Sequence, residues 1–395
     1  FFFLVYNPRP PHSRRATADD KTSIIIMETE ETAETGNVLQ LPCPSCGGKL
    51  RYSAEKEKIA CKYCGYTEDI DKANDLIIEK PLDKGLAEAE FFKPEGEGKK
   101  VFDCDNCGSK FMIETTEVAI TCTFCNSRNV NVEAFEHQFI QPTGIIPFKI
   151  SQNEGFDLFS TWIKQGLFHP RKLKKMAKLE NLHGIYLPFF TYDAQTVANW
   201  SGEAGFYYTV TQSYTDGNGN RQTRTVTKTR WEPRSGTFRH FFDDVLVVAS
   251  NGLQQDEIEA IYPFTLQSAV NYDPKLMLGW EAEVYSKTLG EGARISENIM
   301  DASLRSMANR KLGGDTQRRL RVVSQKSDKT YKHLILPVWL ATYTYKEKIY
   351  HFIINGQTGK VGGKKPLSWV KITLTVILAI IIIGGLYLLS ESGSF

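Results

Sequence analysis

Residues 41–65 read LPCPSCGGKLRYSAEKEKIACKYCG, and residues 102–126, FDCDNCGSKFMIETTEVAITCTFCN, repeat their plan. Each is a Cys-x2-Cys-x14-Cys-x2-Cys quartet. Cys43, Cys46, Cys61 and Cys64 form one, and Cys104, Cys107, Cys122 and Cys125 the other, which uses all eight cysteines of the chain. Two residues between thiolates let one tight turn aim both sulfurs at a point, so two turns supply four ligands to a tetrahedral ion. Gly47, Gly65 and Gly108 follow three of the pairs, where the turn needs a positive φ, and Asn126, the next most tolerant residue, follows the fourth. Four disulfides are the competing reading. The confinement of the cysteines to two short identical windows of a long chain argues for metal instead. Ligand type alone does not separate zinc from a rubredoxin-like iron; two structural Zn2+ ions are expected, each closed by four thiolates with no position left for substrate.

Outside the quartets the chain is ordinary globular material, 395 residues with 41% hydrophobic and 24% charged, enough for two or more domains. A formal charge of +2 predicts no bulk affinity for nucleic acid. Residues 1–39 read as a disordered or non-native extension. The apolar start is too short for a signal sequence, Met27 is the expected first residue, and the acidic ETEETAETG follows it.

The C-terminal end is decisive in another way. ITLTVILAIIIIGGLYLL, residues 372–389, carries no charge, and about 20 such residues at a rise of about 1.5 Å cross a hydrocarbon core of about 30 Å. Lys360, Lys364, Lys365 and Lys371 precede it and no basic residue follows, so the positive-inside rule predicts a single-pass anchor at the cytoplasmic membrane with the N-terminal domains in the cytoplasm. The predicted division is 1–39 extension, 40–70 first ribbon, 71–99 linker, 100–135 second ribbon, 136–366 α+β domain, 367–390 transmembrane helix and 391–395 tail. The charged linker leaves the ribbons free to move independently.

Within 136–366, NEGFDLFSTWIKQG places Phe156, Phe159, Trp162 and Ile163 at helical spacing, and HPRKLKKMAKLEN, residues 169–181, reads as a second, basic helix. GIYLPFFTYDAQTVANW is a strand, and GFYYTVTQSYTDGNGNRQTRTVTKTRW a long hairpin turning at DGNGN. From Pro274 to Leu312 the pattern is helical, with Ala282, Tyr285, Ala293, Ile295, Ile299, Ala302, Leu304 and Met307 on one broad face. Strands return in HLILPVWLATYTYKEKIYHFIINGQTGKVGG. The class is α+β with mainly antiparallel sheet. IPFKI followed by HGIYLPFFTYDA echoes IYPFTL followed by HLILPVWLATYTY, either a duplicated sheet-and-helix unit or two similar strand starts.

No Gly-x4-Gly-Lys-Ser/Thr, His-Glu-x2-His or Gly-x-Ser-x-Gly occurs, so no ATPase, zinc-protease or serine-hydrolase chemistry is predicted. His240 with Asp243 and Asp244, and His183, His333 and His351, read as structural imidazoles. In RQTRTVTKTR the strand period puts Arg224, Lys228 and Arg230 on one face, beside Tyr207, Tyr208, Tyr214 and Trp231. With Lys49 and Arg51 of the first ribbon these are the candidate anion-binding residues.

LPCPSCGGKL, GIYLPFFTYDA, RWEPRSGTF, FFDDVLVVAS and KHLILPVWLATYTYKEKIYHFIINGQTGKV together resemble, over residues 40–366, a bacterial family of tandem zinc-ribbon membrane proteins of unestablished activity. Its members are often labelled by similarity to the primosomal helicase or to the ribbon of transcription initiation factors. The resemblance implies fold and metal; the helicase motor has no counterpart here. The expected function is a non-enzymatic, membrane-anchored adaptor binding a protein partner through its zinc knuckles, and the alternative a membrane-tethered nucleic-acid-binding protein using the first ribbon and the basic hairpin.

Overall fold

A computed structural model describes residues 41–70, 77–89, 99–114, 121–125, 127, 130–133, 140–166, 168–169, 182–215, 217–345 and 348–391. The basic stretch 170–181, the extension 1–39 and the fourth turn residue Asn126 lie outside the described residues.

The first ribbon is β1 (Leu50–Ser53), β2 (Lys58–Cys61) and β3 (Thr67–Glu68), an antiparallel three-stranded sheet in that order. The stretch read as a linker carries β4 (Lys80–Pro81) and α1 (Leu82–Ala89). Leu82 is buried in a core cluster with Tyr331 and Phe190, and Glu79 pairs with Lys332 at 3.1 Å. This part of the linker is therefore fastened to the domain. The second ribbon supplies β5 (Lys99–Cys104), β6 (Lys110–Glu114) and β7 (Val130–Glu133).

The domain follows with β8 (Gly144–Ile145), α2 (Gln152–Lys164), β9 (His183–Thr215), β10 (Arg221–Val248), α3 (Gln255–Glu259), β11 (Val270–Asn271), β12 (Glu281–Val284), α4 (Leu289–Leu312), β13 (Thr316–Tyr345), β14 (Lys348–Asn355) and β15 (Val361–Gly363), before α5 (Trp369–Glu391). The fold is α+β, built on a mainly antiparallel 12-stranded sheet. The second ribbon belongs to that sheet. Glu283 and Val284 of β12 pair with Phe111 and Lys110 of β6, and β12 pairs in turn with β9. Independent motion of the two ribbons does not survive this continuity, because backbone hydrogen bonds run from the second ribbon straight into the central strand.

The faint internal echo is a duplication. β9 and β13 pair antiparallel across their Leu-Pro steps, Leu187 facing Leu336. On each strand a short parallel partner sits three and two residues before the proline: β12 at Ile185 and Tyr186, β8 at Leu334 and Ile335. On each, a hairpin partner begins at the residue after it, β10 at Phe189 and β14 at Val338. The repeats are β8-α2-β9-β10 and β12-α4-β13-β14, each lending its short first strand to the other's long one. Both helices start with a capping box, Ser151 with Glu154 and Thr288 with Glu291, followed by Gly155 and Gly292. Gly155 abuts Trp339 and Gly292 abuts Phe190, each two residues past the proline of the other repeat. The sequence match to IYPFTL is the part that does not correspond: β12 and the residues up to Thr288 occupy the place of IPFKI.

The helical reading of 274–312 is corrected at its start. Pro274–Met277 form one 3-10 turn capped by Asp273, residues 281–284 form β12, and the α-helix begins only after the Thr288 cap. The buried face of α4 is Leu289, Gly292, Ala293, Ser296, Met300, Leu304, Ala308 and Leu312; Ala302 is exposed, and Ile295, Ile299 and Met307 flank it. This helix lies across β9, β10 and β13 where they continue beyond the core. The neighbours of β9 shift register at adjacent residues, β10 opposite Asp193 and β13 opposite Ala194, and the Asp193 carboxylate accepts the Asp244 amide at 2.5 Å and the Thr330 hydroxyl at 2.9 Å. Bulges at adjacent residues bend and twist the sheet there. Past the bend Thr196, Ala198, Trp200 and Ala204 are buried on the α4 side while Gln195, Val197, Asn199 and Ser201 face outward, a period-2 alternation.

α5 is long and apolar enough to cross a membrane, and none of its apolar window is buried by the rest of the protein. Its start is fixed to α2. Lys365 donates to the carbonyls of Trp162 and Gln165 at the C-terminal end of α2, the Ser368 amide donates to Phe168 O at 2.7 Å, and Lys371 to His169 O at 2.8 Å.

Candidate metal centres

The knuckle turns are built as the glycines require. Gly47, Gly65 and Gly108 have φ of 75°, 76° and 72°, and their amides donate back to the carbonyls of Cys43, Cys61 and Cys104 at 2.8, 3.1 and 2.7 Å. Each turn brings its second thiol round to the same side as its first. In the first quartet Cys43 and Cys64 lie 3.7 Å apart and Cys46 and Cys61 3.6 Å; in the second, Cys104 and Cys125 are 3.5 Å apart and Cys107 and Cys122 3.6 Å. Four sulfurs held about 2.3 Å from one ion at tetrahedral angles stand about 3.8 Å apart. All the sulfurs of each quartet lie within 4.8 Å of one another, so both fit a closed four-sulfur metal site.

The surroundings divide the thiols of each quartet: Cys46, Cys104 and Cys122 are raised, the last two chiefly by burial and by bonds to neighbouring thiols, while Cys61, Cys64 and Cys107 are lowered. Hydrogen bonds from the Cys64 and Tyr63 amides, against some burial, bring Cys61 down to about 7. Cys107 is pulled down to about 5, first by Cys122 and then, against burial, by the hydroxyl and amide of Ser109.

The chain is similar to the uncharacterized protein YdjG of Bacillus subtilis (strain 168), 25% identical over 336 residues that span 84% of this chain and 91% of that one. No family model matches the chain. No solved structure matches it either. The similarity spans most of both chains, and the chemistry must be read from the residues themselves.

The two centres differ in setting. Cys46 and Cys64 of the first are exposed, whereas Cys104, Cys122 and Cys125 of the second are buried in one cluster with Ile146, Ile185, Leu334 and Ile353. Phe124, between Cys122 and Cys125, is fully buried against Gly252, where an added Cβ would stand 2.7 Å from the ring. His351 Nε2 lies 2.9 Å from Phe124 O while its Nδ1 faces Glu257 at 3.1 Å, Thr342 donates to Thr123 O at 2.9 Å, and Thr123 donates to Glu281 at 2.8 Å. Burial disfavours the His351 proton, but Glu257 and the Phe124 carbonyl outweigh it and raise its pKa. The ring is thus a two-ended clamp on the second knuckle. None of these clamps was legible in the sequence, since they come from residues 158 to 227 positions away and carry no motif.

The first centre docks rather than merges. The Tyr52 amide donates to Leu278 O at 2.9 Å, Trp280 Nε1 to Tyr52 O at 3.1 Å, and Arg51 Nη2 to Gly279 O at 2.8 Å. Trp280 stacks on Phe148 with ring centroids 4.0 Å apart. Arg51, a candidate for anions, is thus spent on the domain; Lys49 is exposed on the same ribbon. Arg224, Lys228 and Arg230 do share one face, on the unbroken β9–β10 ladder.

His240 is edge-on to Phe242 at 4.5 Å, and His183 lies 3.5 Å from Glu281. His333 is buried, with Nδ1 2.8 Å from Ile140 O. A third acidic group, Glu79, Asp193 and Asp243, brings carboxylates within 4.8 Å of one another. Lys332 and Thr330 already neutralise and bond it. An open groove of about 520 Å³ between α4 and β13, lined by Arg305, Asn309, Gln317 and Arg319, includes no cysteine.

Proposed function

We propose that the protein is a non-enzymatic adaptor, anchored by α5 in the cytoplasmic membrane and facing the cytosol, in which two zinc ions are structural. Four thiolates close each ion, which leaves zinc no open position for water or substrate. The observation that carries the anchoring is the bare apolar surface of α5 joined to the domain through Lys365, Ser368 and Lys371. The lysines that precede the span support this orientation. The protein partner is received by the first ribbon. Its second knuckle is outward, with Tyr63 65% exposed beside Lys62 and Leu41 39% exposed, whereas the second ribbon's knuckle is packed into the core.

Two steps test this in the full chain. Alkaline carbonate extraction of membranes should leave the protein in the pellet, and a chain ending at residue 366 should leave with the supernatant. A photo-crosslinking amino acid at Tyr63 should then trap a discrete protein adduct that the same probe at Thr237, on the open sheet face, does not. Release of the full chain by carbonate would end the anchor reading, and identical adducts from both positions would end the assignment of the partner surface.

A further inference from the structure

The β9–β10 hairpin outruns the rest of the fold. β13 stops pairing with β9 at Gly205, and α4 ends at Leu312, whose carbonyl accepts from Arg234. From Tyr208 to Thr215 and Arg221 to Lys228 the chain is a two-stranded ribbon alone, about 26 Å long at about 3.3 Å per residue. It is at the far end of β9 from His183, whereas α5 leaves the domain beside α2, whose Gly155 abuts Trp339, the partner of Gly184. A bilayer holding α5 therefore meets the opposite end of the strand, which argues against lipid as the ribbon's ligand.

Its two faces are different surfaces. Register puts Phe206 opposite Arg230, Tyr208 opposite Lys228 and Gln212 opposite Arg224, with Tyr214 diagonal to Arg224, all on one face. Thr223, Thr225, Thr227 and Thr229 occupy the other with Thr209, Thr211 and Ser213, joined at its two ends by Arg221 and Tyr207. Arg224 lies over the Tyr214 ring at 5.6 Å and Arg230 over Phe206 at 6.0 Å; Tyr208 and Tyr214 are 47% and 45% exposed. Arg230 shares Glu232 with Arg234, and Lys228 has no acidic partner among the described residues. The hairpin from Phe206 to Arg230 has four basic residues and one acidic, against a formal +2 for the whole chain. Three of the four share the ring face, and a bare hairpin, marginal by itself, needs no such row of cations to fold.

We propose that this cation-and-ring face binds single-stranded nucleic acid, its Arg224, Lys228 and Arg230 meeting phosphates and Tyr208 and Tyr214 stacking on bases. Alternating cations and exposed rings on a flat strand surface are the two elements that single strands use, backbone neutralisation and base stacking. Arg51 of the first ribbon donates to Gly279 O, and the proposal rests on the hairpin face alone. The inference is independent of the adaptor reading, since it concerns a different surface and its failure leaves the anchor and the Tyr63 surface untouched.

The test is fluorescence anisotropy of labelled dT20, rU20 and a 20-base-pair duplex against the zinc-loaded full chain in nanodiscs of neutral lipid, at 50 and 200 mM salt. Binding to the single strands should weaken steeply with salt. Arg224→Ser, Lys228→Ser and Arg230→Ser together should lower affinity at least tenfold and cut the log–log salt slope by about 2, at about 0.7 for each phosphate no longer neutralised. Tyr208→Ala with Tyr214→Ala should lower affinity at least tenfold and leave the slope unchanged. All five residues are outside the core, so the melting transition of the domain should be unaltered. No binding at 50 mM salt, affinity unmoved by the triple variant, a duplex bound as tightly as dT20, or capture of poly-glutamate in place of nucleic acid would each overturn it.

Discussion

Eight thiols of one residue type and one spacing end in two environments, and the difference is a matter of single neighbours. Cys46 and Cys64 meet solvent, while Cys104 and Cys122 sit beneath Phe124 and beside Ser109, whose Oγ is 3.2 Å from Cys107 and 3.3 Å from Cys122. Cys61→Ser should therefore lose one equivalent of zinc and the order of residues 41–70 while the domain keeps its melting transition. Cys122→Ser should cost the domain itself several kcal/mol, since a zinc site in small peptides is worth about 10–16 kcal/mol. Metal analysis with differential scanning calorimetry separates these outcomes. A second residue gives a pH signature. Burial lowers His333 to about 4 from the ordinary 6.5, partly relieved by its bond to Ile140 O. The unfolded chain takes up a proton that the folded chain refuses, so stability is full above about 6.5 and is lost as pH falls toward about 4. His333→Asn keeps a donor for Ile140, and urea titrations between pH 7 and 4.5 should show a shallower acid loss than the parent; an unchanged slope would contradict the buried neutral ring. The ligands were legible because Cys-x2-Cys spacing is local chemistry. The clamps of His351 and Glu281 were not, because long-range contacts leave no local pattern.

At the level of elements, the helix–strand packing makes two glycines unequal. An alanine gains up to about 1 kcal/mol of helix propensity over glycine. At Gly155 the new Cβ would lie 3.3 Å from Leu182 and 3.4 Å from Trp339, contacts that small shifts absorb, so Gly155→Ala should be nearly neutral. At Gly292 it would stand 2.3 Å from Tyr192 Oη, which is tied to Leu289 O at 2.8 Å in a buried site. Overpacking costs about 1–3 kcal/mol, so Gly292→Ala should lower stability despite its propensity gain. Equal effects in chemical denaturation would dispute the close approach of α4 to β9. Periodicity read α2 and the long hairpin correctly, since each shows its own period over many residues. It failed over 281–284, where Glu281-Ala-Glu283-Val284 is too short to show a period of two. There the acidic side chains point inward to Thr123 and Ser250, so polarity gave no sign of burial.

In the whole molecule, one sheet joins the second ribbon, both repeats and the base of the hairpin, and the first ribbon is docked to it by Tyr52, Arg51 and Trp280. The duplication was half visible, as two Leu-Pro strands. The repeated Ser/Thr-x-x-Glu-Gly at Ser151 and Thr288 was the stronger signal, and it marks the same capping box and the same close helix–strand contact in both halves. What no local pattern revealed was the exchange of first strands, because β8 and β12 are short and their partners belong to the other repeat. The central claim is that two like metal sites play unlike parts, one a docked module and the other part of the core. It is tested most directly by titrating the zinc-loaded full chain in detergent with a chelator while following zinc release and tryptophan fluorescence together. Release in two steps of one equivalent each is predicted, the first changing the emission only as far as Trp280 loses its bond to Tyr52 and the second coinciding with exposure of the buried core tryptophans. Release of both equivalents with the core still folded, or of both in one step, would contradict it.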